Sequence, residues 1–319
     1  MLLSYLVHFI VSCYNTFDYG GVNMYTNSEF EQLQEKFLIE QGKATTKVNK
    51  IWRFFLIITI LIIVLVIVIF PKQFSNSATV WILPVYGGMA FLTTLIGFVA
   101  TIKYTSEKPF YTFLYKEILE KYNRDEGTFI DYTAYDKEHK DYVKTGGLFT
   151  RFVTVNNKRH INGYTENQLH YDIYDTMFTT SNGKSQNTHF LGIYYVVKRN
   201  PDTRIQVRTN GSPKLKGVKF EKHKEFEDIK VYKETNEMIN NMDNEFIKFS
   251  QRYQNKQGIK RVYLACVDDE IHFAIWYNKL PTKKVKNLSL DQVNRYYDYL
   301  KSELQVIDDL SKINQYDGF

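Results

Sequence analysis

The sequence predicts an α+β domain, a mostly antiparallel sheet covered by helices, preceded by a two-helix transmembrane hairpin. Three observations carry this. An uncharged apolar run from Phe54 to Phe70 is followed by a second uncharged stretch from Val80 to Ile102. Between Arg151 and Asn210 come runs rich in β-branched and aromatic residues, separated by turn-forming clusters. In the last third, two amphipathic helical patterns bracket a hairpin. The order gives an N-terminal cytoplasmic segment over 1–50, a membrane hairpin over 51–102 and a cytosolic α+β domain over 103–319.

Composition bounds the class. With 44% hydrophobic residues, 25 Tyr and 23 Phe, the chain has the apolar surface for a core and does not read as disordered. The 41 basic against 35 acidic residues are dispersed along the chain. That balance predicts no nucleic-acid partner but suits a domain held beside an anionic leaflet. Cys13 and Cys266 belong to no CxxC or Cys/His cluster, so no disulfide framework, metal or cofactor is expected, and both are read as small apolar fillers.

In the first span, FFLIITILIIVLVIVIF is apolar on every face, unlike a soluble core helix. The second contains Pro84, Gly87, Gly88 and Gly97, tolerated in lipid where neighbouring helices satisfy the backbone. Lys43, Lys47, Lys50 and Arg53 precede the first span and Lys103 and Lys108 follow the second, while the turn between them holds one charge, Lys72. The positive-inside bias therefore places both termini in the cytoplasm of a multi-pass cell-membrane protein. Residues 1–23 lack the n-region of a signal peptide, and a start at Met24 would place them upstream of the native chain. An amphipathic helix is expected over 28–42, opened by Ser28 and Glu31 and ended at Gly42.

In the cytosolic part, Phe110, Phe113, Leu114, Ile118 and Tyr122 predict a helix leaving the membrane. Residues 127–149 read as helix and loop, broken at Gly146-Gly147. RFVTV, QLHYDIYDTMFTT, FLGIYYVVKR and TRIQVRT read as strands, with NN, SNGKS and NPD as turns. In the second run Leu169, Tyr171, Ile173 and Asp175 alternate against His170, Asp172 and Tyr174, predicting one buried and one wet face. A helix carries Met238, Met242, Phe246, Phe249 and Tyr253. IKRVYLACV and IHFAIWY form a hairpin around Asp268-Asp269-Glu270, read as a turn and not a cation site. A last helix opens at Ser289 with Gln292 as capping partner.

Candidate chemistry is sparse. His170, Asp172 and Asp175 are the nearest to a catalytic constellation, His170 and Asp172 sharing a strand face at a spacing of two. His160, His189, His223 and His272 have no HExxH or triad context, and His272 is expected on the exposed or partly satisfied face of its strand. The lysine-rich stretch 214–224 is read as a solvated loop in which Lys214, Lys216, Lys219 and Lys222 would meet an anionic lipid or a protein partner.

The paired spans, the Gly147-Leu148-Phe149 step and Phe190-Leu191-Gly192-Ile193-Tyr194 together resemble a bacterial membrane-anchored family, Domain of Unknown Function thirty-one thirty-seven. Its F-x-G-x-[FY] strand is similar to 190–194, and the closing order of helix, hairpin and helix also agrees. The resemblance implies a membrane-tethered cytosolic domain with no transferable activity, and a close backbone approach at Gly192. The expected function is a tethered binding, regulatory or scaffolding module. The alternative is a membrane-bound hydrolase or metal-dependent enzyme using the His170/Asp172 strand face.

Overall fold

The computed structural model describes residues 25–69, 88, 94–95, 109–136, 140–149, 154–181, 186–213, 215, 217–226, 228–278 and 288–313. Residues 1–23 with the expected start at Met24, most of the second uncharged stretch, Lys214, Lys216 and Cys13 lie outside the described residues.

The described strands form one nine-stranded sheet in the order β1-β2-β3-β4-β9-β8-β5-β7-β6. They are β1 (Asp131–Ala134), β2 (Thr154–Tyr164), β3 (His170–Ser181), β4 (Gln186–Lys198), β5 (Ile205–Arg208), β6 (Phe220–Glu225), β7 (Lys230–Glu234), β8 (Ile259–Val267) and β9 (Glu270–Tyr277). Every pairing is antiparallel; β1 to β4, β6 with β7 and β8 with β9 pair as sequence neighbours, whereas β4 with β9 and β5 with β8 join strands far apart in the chain. The helices are α1 (Asn27–Ile69), α2 (Tyr115–Glu126, entered through a π-helical turn Phe110–Leu114), α3 (Tyr142–Thr145), α4 (Asn241–Gln254) and α5 (Leu290–Lys312). The α+β class is therefore as expected.

Several elements form where local chemistry dictates. At α5, the Ser289 side chain accepts from Gln292 N and the Gln292 side chain accepts from Ser289 N, the capping box read from sequence. At α4, Asn240 and Asp243 do the same, so the helix starts after Met238, which is 85% exposed and not part of the helical stripe. Between β8 and β9, Asp268 takes φ 50°, a left-handed conformation that Asp tolerates in a tight turn.

Other expectations are corrected. β2 runs through Asn156 and Asn157, absorbing an irregularity before Arg159 as a bulge, so NN is not a turn. β1 falls inside the stretch read as helix and loop. β6 occupies part of the stretch read as a loop, at the sheet edge, where its Lys and Glu side chains discourage edge pairing. The helix expected to end at Gly42 continues to Ile69, with Thr45 and Thr46 bonding back to the Gln41 and Gly42 carbonyls.

The sheet has two covered faces, not one. On the first, Ile161, Ile173, Ile193, Tyr195, Leu264 and Phe273 pack against α1, α2, α4 and α5. On the second, Tyr174, Phe178, Phe190, Tyr194 and Tyr263 are covered by a strap formed of α3 and residues 146–149. The face of β3 expected to be wet therefore holds Tyr174 at 3% exposure. Cys266 is buried, as expected of a filler, and burial pushes its thiol well up.

α1 and α2 run antiparallel: Lys36 pairs with Glu117 at 3.9 Å and Glu29 with Lys121 at 3.2 Å. Tyr25, Leu33 and Phe37 are buried in this contact. Among the described residues no helix is long and apolar enough to cross a membrane. The uncharged part of α1, residues 54–69, covers about 24 Å against a hydrocarbon core of about 30 Å. Phe54, Phe55, Leu56, Ile57, Ile60, Leu61 and Val64 on it are exposed.

Candidate functional site

The period of two along β3 separates the three sequence candidates. Asp175 lies on the helix-covered face, 1% exposed, and accepts from the Tyr111 hydroxyl at 3.0 Å. His170 and Asp172 lie on the strap-covered face, His170 Nδ1 being 3.6 Å from Asp172 Oδ2. A site using all three side chains is thus not assembled. Among the described residues no group of three His, Cys, Asp or Glu is placed to hold a metal ion.

What Asp172 meets instead is His160, a residue sequence reasoning left unassigned. His160 Nε2 lies 2.7 Å from Asp172 Oδ1 and Nδ1 lies 3.3 Å from Asp136 Oδ2. Its ring stacks on Tyr174 at 4.4 Å, and Tyr174 stacks in turn on Tyr142 of the strap at 4.0 Å. Reading Asn156-Asn157 as a turn hid this residue, because the face of a side chain follows only once the strand is known to continue.

Further along the same face His272 is 0% exposed, against the expectation of an exposed or partly satisfied position. Its Nδ1 is 3.2 Å from the Tyr194 hydroxyl and its Nε2 3.0 Å from Glu270 Oε2. The hydrogen bond to His272 holds the Glu270 carboxyl below the usual glutamate range, against the opposing effect of burial. Gly146 fits over this pair because a Cβ there would meet the Tyr194 hydroxyl at 2.4 Å and His272 Cγ at 2.6 Å.

Arg208 fastens the other end of the strap. Its Nη2 donates to the Leu148 carbonyl at 2.7 Å and its Nη1 to Gln206 Oε1 at 2.7 Å. Burial lowers its pKa, and nearby tyrosines oppose that shift. Replacing it, Arg208→Met, is expected to cost about 1–3 kcal/mol and to free the strap, since the Leu148 carbonyl and Gln206 side chain lose their donors. Hydrogen exchange should rise at 146–149 and not in α5; equal protection in the two proteins would refute this.

The helix-covered face holds a second buried network. Arg159, 0% exposed, pairs with Glu303 and bonds the Tyr115 hydroxyl at 2.5 Å, and Asp175 lies 3.8 Å from its Nε. The Tyr115 hydroxyl also donates to Glu303 at 2.9 Å. Desolvation works against the Arg159 cation, yet Glu303, Tyr115 and Asp175 raise its pKa well above the ordinary arginine range. This network joins α2, β2, β3 and α5.

Neither of the two clefts below is lined by these networks. A cleft of about 270 Å3 is lined by Phe226, Asp228, Ile229, Gln251, Gln254 and Asn255, and one of about 110 Å3 lies beside Tyr25 and Lys121. Of the lysines singled out by sequence, Lys222 pairs with Glu225, and the Lys219 carbonyl accepts from Thr235 at the edge of the sheet.

No protein-family model and no curated protein matches the chain. Among solved structures, it is similar to the mycobacterial trehalose monomycolate transport factor A, TtfA, with a TM-score of 0.30 and 11% identity over 60% of this chain and 95% of that one.

Proposed function

We propose that this chain is a membrane-tethered binding module, with residues 51–102 crossing the bilayer as a two-helix hairpin and both termini in the cytoplasm. The observation that carries it is the register of α1 against α2. Lys36 lies opposite Glu117, and the same number of residues separates Lys36 from Ile51 as separates residue 102 from Glu117. From that contact α1 runs on unbroken to the start of the first apolar run, 15 residues or roughly 22 Å further. The exposed Phe54 to Val64 surface supports the same reading, because an apolar face of that length demands cover.

The pair makes the tether stiff. Tyr25, Leu33 and Phe37 fix α1 to the domain, so its distance from the bilayer is set by helix geometry and not by a flexible linker. Such a tether confines the sheet to one leaflet and raises its effective concentration for partners there. The resemblance to Domain of Unknown Function thirty-one thirty-seven belongs to this proposal, supported by the close strand approach at Gly192. His170 and Asp172 are partly exposed and line neither of the two clefts described, which supports binding over hydrolysis or metal chemistry.

A single reactive cysteine tests the topology. In a Cys13→Ser background the buried Cys266 stays silent, so Ser77→Cys in the turn reports alone. An impermeant maleimide added to intact cells is expected to label it, whereas Glu126→Cys is labelled only after lysis. Labelling of Glu126→Cys from outside, or recovery of the chain in the soluble fraction, would refute the proposal.

A further inference from the structure

We propose that Lys260 and Arg261, over the Trp276 ring, and Lys256, over the Tyr253 ring, form a docking face for the anionic phospholipid headgroups of the leaflet beside the hairpin. This rests on the membrane-hairpin reading and adds which end of the sheet meets the bilayer and which lipid class it selects.

The orientation follows from contacts along α2. Asn123 Nδ2 bonds the Ile130 carbonyl at the start of β1, and Tyr115 bonds Arg159 of β2. Since Asp131 pairs with Asn162 and Ala134 with Arg159, moving back along α2 toward residue 102 means moving along β2 from Asn162 toward Thr154. The antiparallel register then fixes its neighbours. Asn157 pairs with Thr176, Thr176 with Gly192, Gly192 with Trp276 and Trp276 with Arg261. That row lies one step nearer the hairpin than the Arg159 and Asp175 row. Lys260 and Lys256 lie beyond it.

Charge is sorted along this axis. At the hairpin-facing end Lys260 Nζ is 4.4 Å and Arg261 Cζ 5.1 Å from the Trp276 ring, and Lys256 Nζ is 4.0 Å from the Tyr253 ring. Among the described residues none of the three joins an ion pair, whereas Lys248 and Arg252 nearby do. The far end of the same β8–β9 hairpin carries Asp268, Asp269 and Glu270. The hairpin thus points cations toward the bilayer and carboxylates away, the polarity an anionic surface selects. Tyr111, bonded to Asp175 and six residues before Glu117, is level with Gly42, six residues after Lys36, which along α1 is nine residues or roughly 14 Å short of Ile51. One strand row of about 3.4 Å and a lysine stem bring the ammonium groups within about a Debye length, ~10 Å, of the headgroups. The amphipathic indole held between two cations suits that interfacial position. Lys222, by contrast, is neutralised by Glu225 on the far edge strand.

The test uses the full chain with Trp52→Phe and Trp81→Phe, leaving Trp276 as donor to dansyl-labelled headgroups in nanodiscs. Energy transfer is expected to be higher in discs containing phosphatidylglycerol than in phosphatidylcholine discs. The difference is expected to vanish at high salt and in Lys256→Glu/Lys260→Glu, to shrink in the milder Lys256→Gln/Lys260→Gln, and to persist in Lys219→Glu/Lys222→Glu. Thermal melting verifies that each variant is folded. Incorporation into both kinds of disc with equal transfer, unchanged by the charge reversals, would overturn the docking face while leaving the hairpin intact. Failure to enter discs of either kind would overturn the hairpin, and the docking face with it.

Discussion

Gly192→Ala is expected to destabilise the sheet domain by about 3 kcal/mol or more, lowering Tm by roughly 10 °C. A Cβ at this position would lie 1.9 Å from the Ile275 carbonyl oxygen and 3.2 Å from Phe190 Cζ. The first of these neighbours is backbone in the adjoining strand β9, so no rotamer change can relieve the overlap. β4 and β9 must separate, and the ladder from Gly192–Trp276 to Lys198–Glu270 lies across that separation. Gly42→Ala is the matched control. A Cβ there meets nothing within 4 Å on an exposed helix, and the exchange is expected to stabilise α1 by about 0.5–1 kcal/mol. Thermal melting of both variants checks the pair; a Gly192→Ala protein melting with the parent would show that the strands are not in the described contact.

Arg159→Met is expected to cost about 3–5 kcal/mol, because it leaves Glu303 and Asp175 buried on the same face with no cation between them. The side chain fits an apolar replacement in size, so the loss is electrostatic in origin and not a cavity effect. The ring of Tyr115, 4.4 Å from the guanidinium carbon, also loses its stacked cation. Removing all three charges together, by Arg159→Met, Asp175→Asn and Glu303→Met, is expected to recover a large part of the stability. Denaturant unfolding of the single and triple variants decides this. A triple variant less stable than Arg159→Met alone would mean that the ion network contributes net stability beyond mutual neutralisation.

How much was legible in the sequence depends on the range of the interaction. Ser289 with Gln292 marks a helix start within four residues, and the Asp268-Asp269 turn lies between two apolar runs, so both are readable locally. Asp175 is on the opposite face from His170 and Asp172 by simple alternation, legible in the sequence although the three were grouped there as one constellation. β1 was hidden because its alternation extends over only four residues, too few to stand out from the surrounding helix and loop pattern. The bulge before Arg159 broke the pattern of β2 and concealed the placement of His160. Met238 matched the helical stripe of α4, yet the Asn240 and Asp243 capping pair begins the helix after it.

By itself the sequence determined the α+β class, most strand and helix positions and the split between the face of Asp175 and that of His170 and Asp172, because backbone periodicity, caps and turn residues act between near neighbours. Only the tertiary structure decided that both faces of the sheet are covered, that Arg159 meets Glu303 144 residues away, and that His160 is held between Asp136 and Asp172. Those pairings follow from which apolar surfaces exclude water together, a choice made across the whole chain and encoded in no local pattern.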